Sequence, residues 1–186
     1  MKVSGNYKIF YRKRYFEQTQ KDIKLAGALP ASTPLIPLMG HGLPNSAGIP
    51  YRLNVVPASA QPESGAARAG QNTQLSGKLT RYEVEFHLQA DALLLLPDAD
   101  GARRKSLQVA LMVYGSDFKP LNWEIREIHL LIKPEQWADE QSAGIPLHIE
   151  VDAPPGDAYL RTGVYDSSSS KVGTLEIPLT AIASLR

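Results

Sequence analysis

The chain has 186 residues, 20 basic and 19 acidic side chains for a net charge of +1, 43 % hydrophobic residues and no cysteine. Balanced charge removes the long-range pull by which nucleic-acid and anionic-membrane binders collect their partners, and zero cysteines exclude disulfide frameworks and thiolate metal sites. No apolar run approaches the ~18 residues of a membrane-spanning helix, and MKVSGNYKIFYRKRY carries no apolar signal core.

In chain order, YKIFYR (7–12) predicts a short strand ending in the basic cluster Arg12, Lys13 and Arg14. DIKLAGAL (22–29) predicts one or two helical turns capped by Asp22. From Pro30 to Pro50 the prolines and glycines exclude any long regular element. Residues 1–50 therefore read as an irregular arm laid over the body, and 51–182 as the body. Tyr51, Leu53 and Val55 supply its first strand; SAQPESGAARAGQNTQ (59–74) then reads as a mobile polar loop. Beyond it period-2 alternation dominates: Tyr82, Val84, Phe86 and Leu88; Leu107, Val109, Leu111 and Val113; Ile128, Leu130 and Ile132; Leu147, Ile149 and Val151; Leu160, Thr162 and Val164; Leu175, Ile177 and Leu179. Trp123 and Ile125 fall out of phase with Ile128, which predicts a bulge near Arg126. PEQWADEQSAG (134–144) predicts a short helix opened by Pro134 and closed by Gly144. Seven short strands with turns between them predict an all-β, antiparallel immunoglobulin-like β-sandwich with an irregular N-terminal arm and one or two short helices. Tyr159 stands where such folds place a tyrosine-corner residue.

Little in the sequence carries chemistry. His41 lies in the Pro/Gly connector, and His87, His129 and His148 fall on the polar faces of predicted strands without metal-ligand spacing. There is no Gly-x-Ser-x-Gly elbow, no phosphate-cradling glycine loop and no cysteine nucleophile, so no enzymatic activity and no cofactor are expected. Two tryptophans and one leucine run remain. Trp123 and Trp137 either fill the ends of the core or form an exposed carbohydrate platform. Leu93, Leu94, Leu95 and Leu96 form a buried edge, a short helix or an exposed patch for another domain. These six residues are the candidate partner-binding positions.

DSSSS (166–170) spells the Asp-x-Ser-x-Ser pattern that opens the metal site of von Willebrand factor A (VWA) domains, with Asp166, Ser168 and Ser170 as would-be ligands. That site needs a doubly wound α/β context and further ligands downstream. Here an alternating strand, TLEIPL, follows instead, and DSSSSK reads as a hairpin loop whose Asp and Ser oxygens satisfy local donors. The wider run PPGDAYLRTGVYDSSSSKVGTLEIPL resembles the closing hairpin of the Acidobacteria-type VWFA-related proteins. KPEQWADEQSAGIPLHIEV is similar to the segment before it, and YKIFYRKRYFEQ to the strand that leaves their VWA domain, with Arg14 where the family has Gly. The resemblance implies the β-sandwich portion that follows a VWA domain in a secreted or periplasmic protein. It carries over no metal residue. The expected function is a non-catalytic extracytoplasmic module for protein interaction or domain presentation, with a protein partner or the adjacent VWA domain as its target; a carbohydrate-binding module is the alternative.

Overall fold

In the computed structural model, which describes residues 33–183, eight strands build two antiparallel sheets. They are β1 (Tyr51–Pro57), β2 (Glu63–Ala66), β3 (Ser76–Leu88), β4 (Arg103–Gly115), β5 (Pro120–Ile132), β6 (Ile145–Ala153), β7 (Ala158–Asp166) and β8 (Lys171–Pro178). β1, β2 and β6 pair with β3, and the second sheet runs β5-β4-β7-β8. The strand and helix expected at 7–12 and 22–29 lie outside the described residues.

All seven strands that alternation predicts are present. β2 is a short addition that pairs with the first residues of β3. Taken in order as A, B, C, C′, E, F and G, the seven give sheets ABE and C′CFG. That is an immunoglobulin-like sandwich whose fourth strand has moved from the ABED sheet to its partner. Val84, Phe86, Ile149 and Val151 from one sheet meet Leu107, Val109, Leu111, Val113, Leu160 and Val164 from the other, all at 0 or 1 % exposure. Each such fully buried side chain contributes ~1.5–3 kcal/mol relative to an exposed one.

Both lateral openings of the sandwich are closed by chain segments that alternation does not mark. Ser46 to Ile49 crosses the β8 edge: Thr174 N donates to Ser46 O at 2.9 Å and Ile49 N to Val172 O at 3.2 Å. On the opposite side, Arg68 to Asn72 ties β6 to β5. Asp152 N donates to Ala69 O at 3.0 Å, and Gln71 N to Trp123 O at 2.6 Å. The expected mobile loop at 59–74 is therefore corrected: it contains β2 and this cross-sheet tie. Asn122 is its hub, fully buried, with its amide donating to Ala69 O at 2.8 Å and Asp152 O at 2.7 Å.

Asn122 also explains Trp123 and Ile125. β5 keeps one phase throughout and turns Asn122 and Glu124 inward, so Trp123 and Ile125 face outward. The register slip expected near Arg126 falls instead between Val113 and Tyr114, at Leu121.

The first described residues cover the outer face of the second sheet. Leu35 and Met39, flanking a 3-10 turn at Ile36–Leu38, are fully buried over Gly163, where the absence of a side chain makes room for them. Arg161, fully buried, donates from Nε to Leu38 O at 2.9 Å, from Nη1 to Leu43 O at 2.9 Å and from Nη2 to Pro44 O at 3.1 Å. The compact unit consequently starts at Pro34, not at Tyr51. At the other end β8 stops at Pro178 and Leu179 opens a short helix, Leu179–Ala183, rather than ending the strand. The helix expected at 134–144 forms as a 3-10 turn, Pro134–Gln136, followed by α1 (Trp137–Ala143), with Gly144 at φ 92° as its C-cap.

Candidate functional site: the loop end of the sandwich

Leu88 faces Ile145, Arg103 faces Ile132 and Asp166 faces Lys171, so three loops gather at one end: 89–102, 133–144 and 167–170. Each loop is tied to the others. Arg103 Nε donates to Leu95 O at 3.2 Å while its guanidinium lies 4.0 Å over the Trp137 ring. Gln141 reaches Asp91 at 3.0 Å, and Lys171 Nζ donates to Ala92 O at 3.2 Å.

Asp166 anchors the third loop. Its carboxylate is fully buried and accepts from Ser168 N at 2.9 Å, Ser168 Oγ at 2.8 Å and Ser169 Oγ at 2.6 Å, with Lys105 Nζ at 2.9 Å. Burial by itself would raise the Asp166 pKa. The hydrogen bonds from Ser169, Lys105 and Ser168 outweigh it and bring the group down to about 2. Asp166 and Ser168 thus spend their oxygens on a hairpin turn, and Ser170 supplies its left-handed residue at φ 54°. Among the described residues, no three His, Asp or Glu side chains converge to hold a metal ion.

On this frame the leucine run splits by parity. After a 3-10 turn at Ala90–Leu93, Leu93 (0 % exposed) and Leu95 (7 %) enter the core, whereas Leu94 (62 %) and Leu96 (79 %) project into solvent. Of the readings buried edge, short helix or exposed patch, each holds for part of the run: Leu93 closes a 3-10 turn, Leu93 and Leu95 are buried, and only Leu94 and Leu96 are an exposed patch. Leu94 adopts φ 50°, ψ 52°, a left-handed conformation that costs an L-residue ~1–2 kcal/mol. A strained, exposed apolar side chain on a cross-linked loop is a feature packing does not require.

The two tryptophans do not join Leu94 and Leu96 into one surface. Trp137 packs half-buried against the core under Arg103, which occupies one face of its ring. Trp123 is half-buried on the outer face of β5, next to Met112.

Three of the four histidines lie on the polar strand faces expected of them, and only His41 departs. His87 lies 3.5 Å from Glu85 and His148 3.8 Å from Glu150, both on partly exposed strand faces. His129 Nδ1 meets Ser106 Oγ at 2.7 Å in the open. Among the described residues no carboxylate orients that imidazole, so the pair lacks the third member a nucleophilic serine needs. His41 is the one that sequence reasoning missed. Its ring stacks on Phe118 at 4.5 Å and tilts against Tyr159 at 4.6 Å and Tyr114 at 5.8 Å. Its Nδ1 sits 3.2 Å from the Glu176 carboxylate, close enough for an ion pair but outside hydrogen-bond geometry. Proline and glycine punctuation around residue 41 hides any such signal. Tyr159 spends its ring on His41, and among the described residues its hydroxyl makes no tyrosine-corner bond. The phenols that do bond are Tyr114, to Met39 O at 2.8 Å, and Tyr51, with Thr162 Oγ1 at 2.7 Å. Burial pushes both phenol pKa values up.

One further concavity, a cleft of about 160 Å³ between β2 and β3, is lined by Glu63, Arg68, Arg81 and Asp152. Its charges are already paired: Arg81 Nε meets Asp152 at 3.0 Å and Arg68 meets Glu63 at 2.9 Å. Burial would raise the Asp152 carboxyl, yet Arg81 and the Ala69 and Arg68 amides hold it below the usual range. Among the described residues no helix is long and apolar enough to cross a membrane. No protein-family model, no curated protein and no solved structure matches the chain. The class is an all-β sandwich, and its role has to be argued from its surfaces.

Proposed function

We propose that this sandwich is a non-catalytic, extracytoplasmic protein-interaction module that works beside a VWA domain of the VWFA-related type and docks a protein surface on its loop end. The observation that carries this reading is the Leu94–Leu96 pair. Two leucines project from a loop whose neighbours are in the core, and one of them is held in a conformation that most residues avoid. Apolar anchors presented on a rigid frame lose little conformational entropy on binding, which is how a small patch gives useful affinity. The anchored segment from Leu35 to Ser46 supports the same role, because it fixes the chain to the sandwich from its first described turn.

The test uses a purified VWA domain of the VWFA-related family in biolayer interferometry. Wild type is expected to bind, and Leu96→Asp to lose at least ~10-fold in affinity, the scale of a truncated hot-spot residue. Leu94→Asn is expected to weaken binding while raising stability by ~0.5–1 kcal/mol through relief of the left-handed strain. Equal binding by all three proteins would overturn the assignment of the loop end. The carbohydrate reading predicts instead a glycan-array signal lost in Trp123→Ala.

A further inference from the structure

The carbonyls of Leu121, Trp123 and Ile125 accept hydrogen bonds from Asn72 Nδ2 (2.6 Å), Gln71 N (2.6 Å) and Gln71 Nε2 (3.1 Å), all from the side of β5 away from β4. Backbone groups two residues apart in a strand point the same way. The N–H and C=O of Glu127, His129 and Leu131 therefore face the same open side, and among the described residues they have no backbone partner. The Arg68–Asn72 tie stops short of them. What remains is a stretch of edge unpaired among the described residues and in register with β4 from Arg103 to Val113, with Glu127, His129 and Leu131 exposed on its outer face.

We propose that this stretch pairs with the same stretch of a second copy, β5 against β5, forming an isologous antiparallel dimer centred on Ile128. The register follows from what each alternative puts face to face. Hydrogen-bonded pairs must join residues whose backbone groups point outward, so odd residues face odd residues. Centring on Glu127 sets two carboxylates opposite each other. Centring on His129 sets imidazole against imidazole and Glu127 against Leu131. Centring on Ile128 sets Glu127 against the second copy's His129, twice by symmetry, and, once the Gln71 side chain releases the Ile125 carbonyl, Ile125 against Leu131, also twice. That register matches a carboxylate with an imidazole and apolar with apolar, and it gives the exposed Leu131 (56 %) a partner. A two-fold operator requires such self-complementarity, and of these three registers only the one centred on Ile128 has it. β-strand addition of this kind draws its affinity from main-chain hydrogen bonds and its specificity from cross-strand side chains. The inference stands on the β5 edge alone and does not rest on the loop-end reading.

Analytical ultracentrifugation across a concentration series of the full chain tests it. Wild type is expected to show a monomer–dimer equilibrium. Glu127→Lys places a cation opposite His129, and His129→Glu places two carboxylates opposite each other. Each is expected to weaken dimerisation at least ~10-fold, since every 1.4 kcal/mol of lost cross-strand interaction is a factor of ten. The double variant Glu127→Lys/His129→Glu sets an ammonium against a carboxylate across the axis and is expected to restore the dimer. Circular dichroism melts confirm that each variant folds. Three outcomes overturn the proposal: a wild type that stays monomeric at all concentrations, a dimer indifferent to the single substitutions, or a double variant no better than the singles.

Discussion

Replacing Arg161 with methionine keeps the length and apolar stem of the side chain and removes only its guanidinium. That group is fully buried and supplies hydrogen bonds to the carbonyls of Leu38, Leu43 and Pro44, with Glu176 3.6 Å from its Nη1. Breaking a buried pair from one side costs ~3–5 kcal/mol, most of it the penalty of leaving partners unmatched. The three carbonyls lie on a surface segment that can tilt toward water, so the expected loss falls at the low end, about 3 kcal/mol. At ~2–4 °C per kcal/mol for a domain of this size, Tm should fall by ~6–12 °C. Urea denaturation followed by tryptophan fluorescence measures the free energy. Native-state hydrogen exchange locates it: the amides of Gly42 and Ser46, bonded to Glu176 and Thr174, should lose more protection than β3 amides. Glu176→Gln keeps an acceptor for Gly42 N and should cost under ~1 kcal/mol. If Arg161→Met lies within ~0.5 kcal/mol of wild type and Gly42 exchange is unchanged, the buried arginine is not what clamps this segment.

Two further tests address other anchors. Gly70 adopts φ 105° against Asn122, where a Cβ would overlap the amide, so Gly70→Ala should lower stability by ~2–4 kcal/mol in urea, and a neutral result would show that the cross-sheet tie is loose. Asp166 is depressed to about 2, so its contribution is complete above the ordinary carboxylate pKa near ~4 and is lost as pH falls through about 2. Wild type should therefore exceed Asp166→Asn by ~2 kcal/mol at pH 7 and by little near pH 2, and a pH-independent gap would refute the linkage.

Alternation made the sandwich legible because seven strands each bury one apolar face, and a period of two survives in the sequence wherever that holds. It failed where polar side chains face inward. Asn122 and Glu124 sit on the core side of β5, and their partners Ala69, Asp152 and Arg126 lie far away in the chain or on the strand itself, so a phase rule reads them as a bulge. It failed again where a segment is ordered by someone else's hydrogen bonds. Leu35 to Ser46 and Arg68 to Asn72 have the composition of loops, but Arg161, Glu176, Asn122 and Asp152 pin them. Of the candidate site, the leucine run was visible as a run. Its division into two core and two exposed residues depends on the 3-10 turn and the left-handed Leu94, for which no local pattern exists.

The two surfaces left without partners among the described residues bear on each other. The open stretch of β5 ends at Ile132, which pairs with Arg103 at the loop end that carries Leu94 and Leu96. An antiparallel β5–β5 dimer centred on Ile128 therefore sends the two loop ends in opposite directions. Four residues at ~3.3 Å each put Ile132 about 13 Å from the two-fold axis, so the loop ends stand at least ~26 Å apart. Leucine anchors facing opposite ways cannot both settle on one flat partner, and avidity on a single surface is excluded by geometry. Two separate partner molecules can be held, one at each end. A dimer of this shape would bridge its targets, and binding to an immobilised partner should show the affinity of a single loop end whether or not the β5 edges are paired.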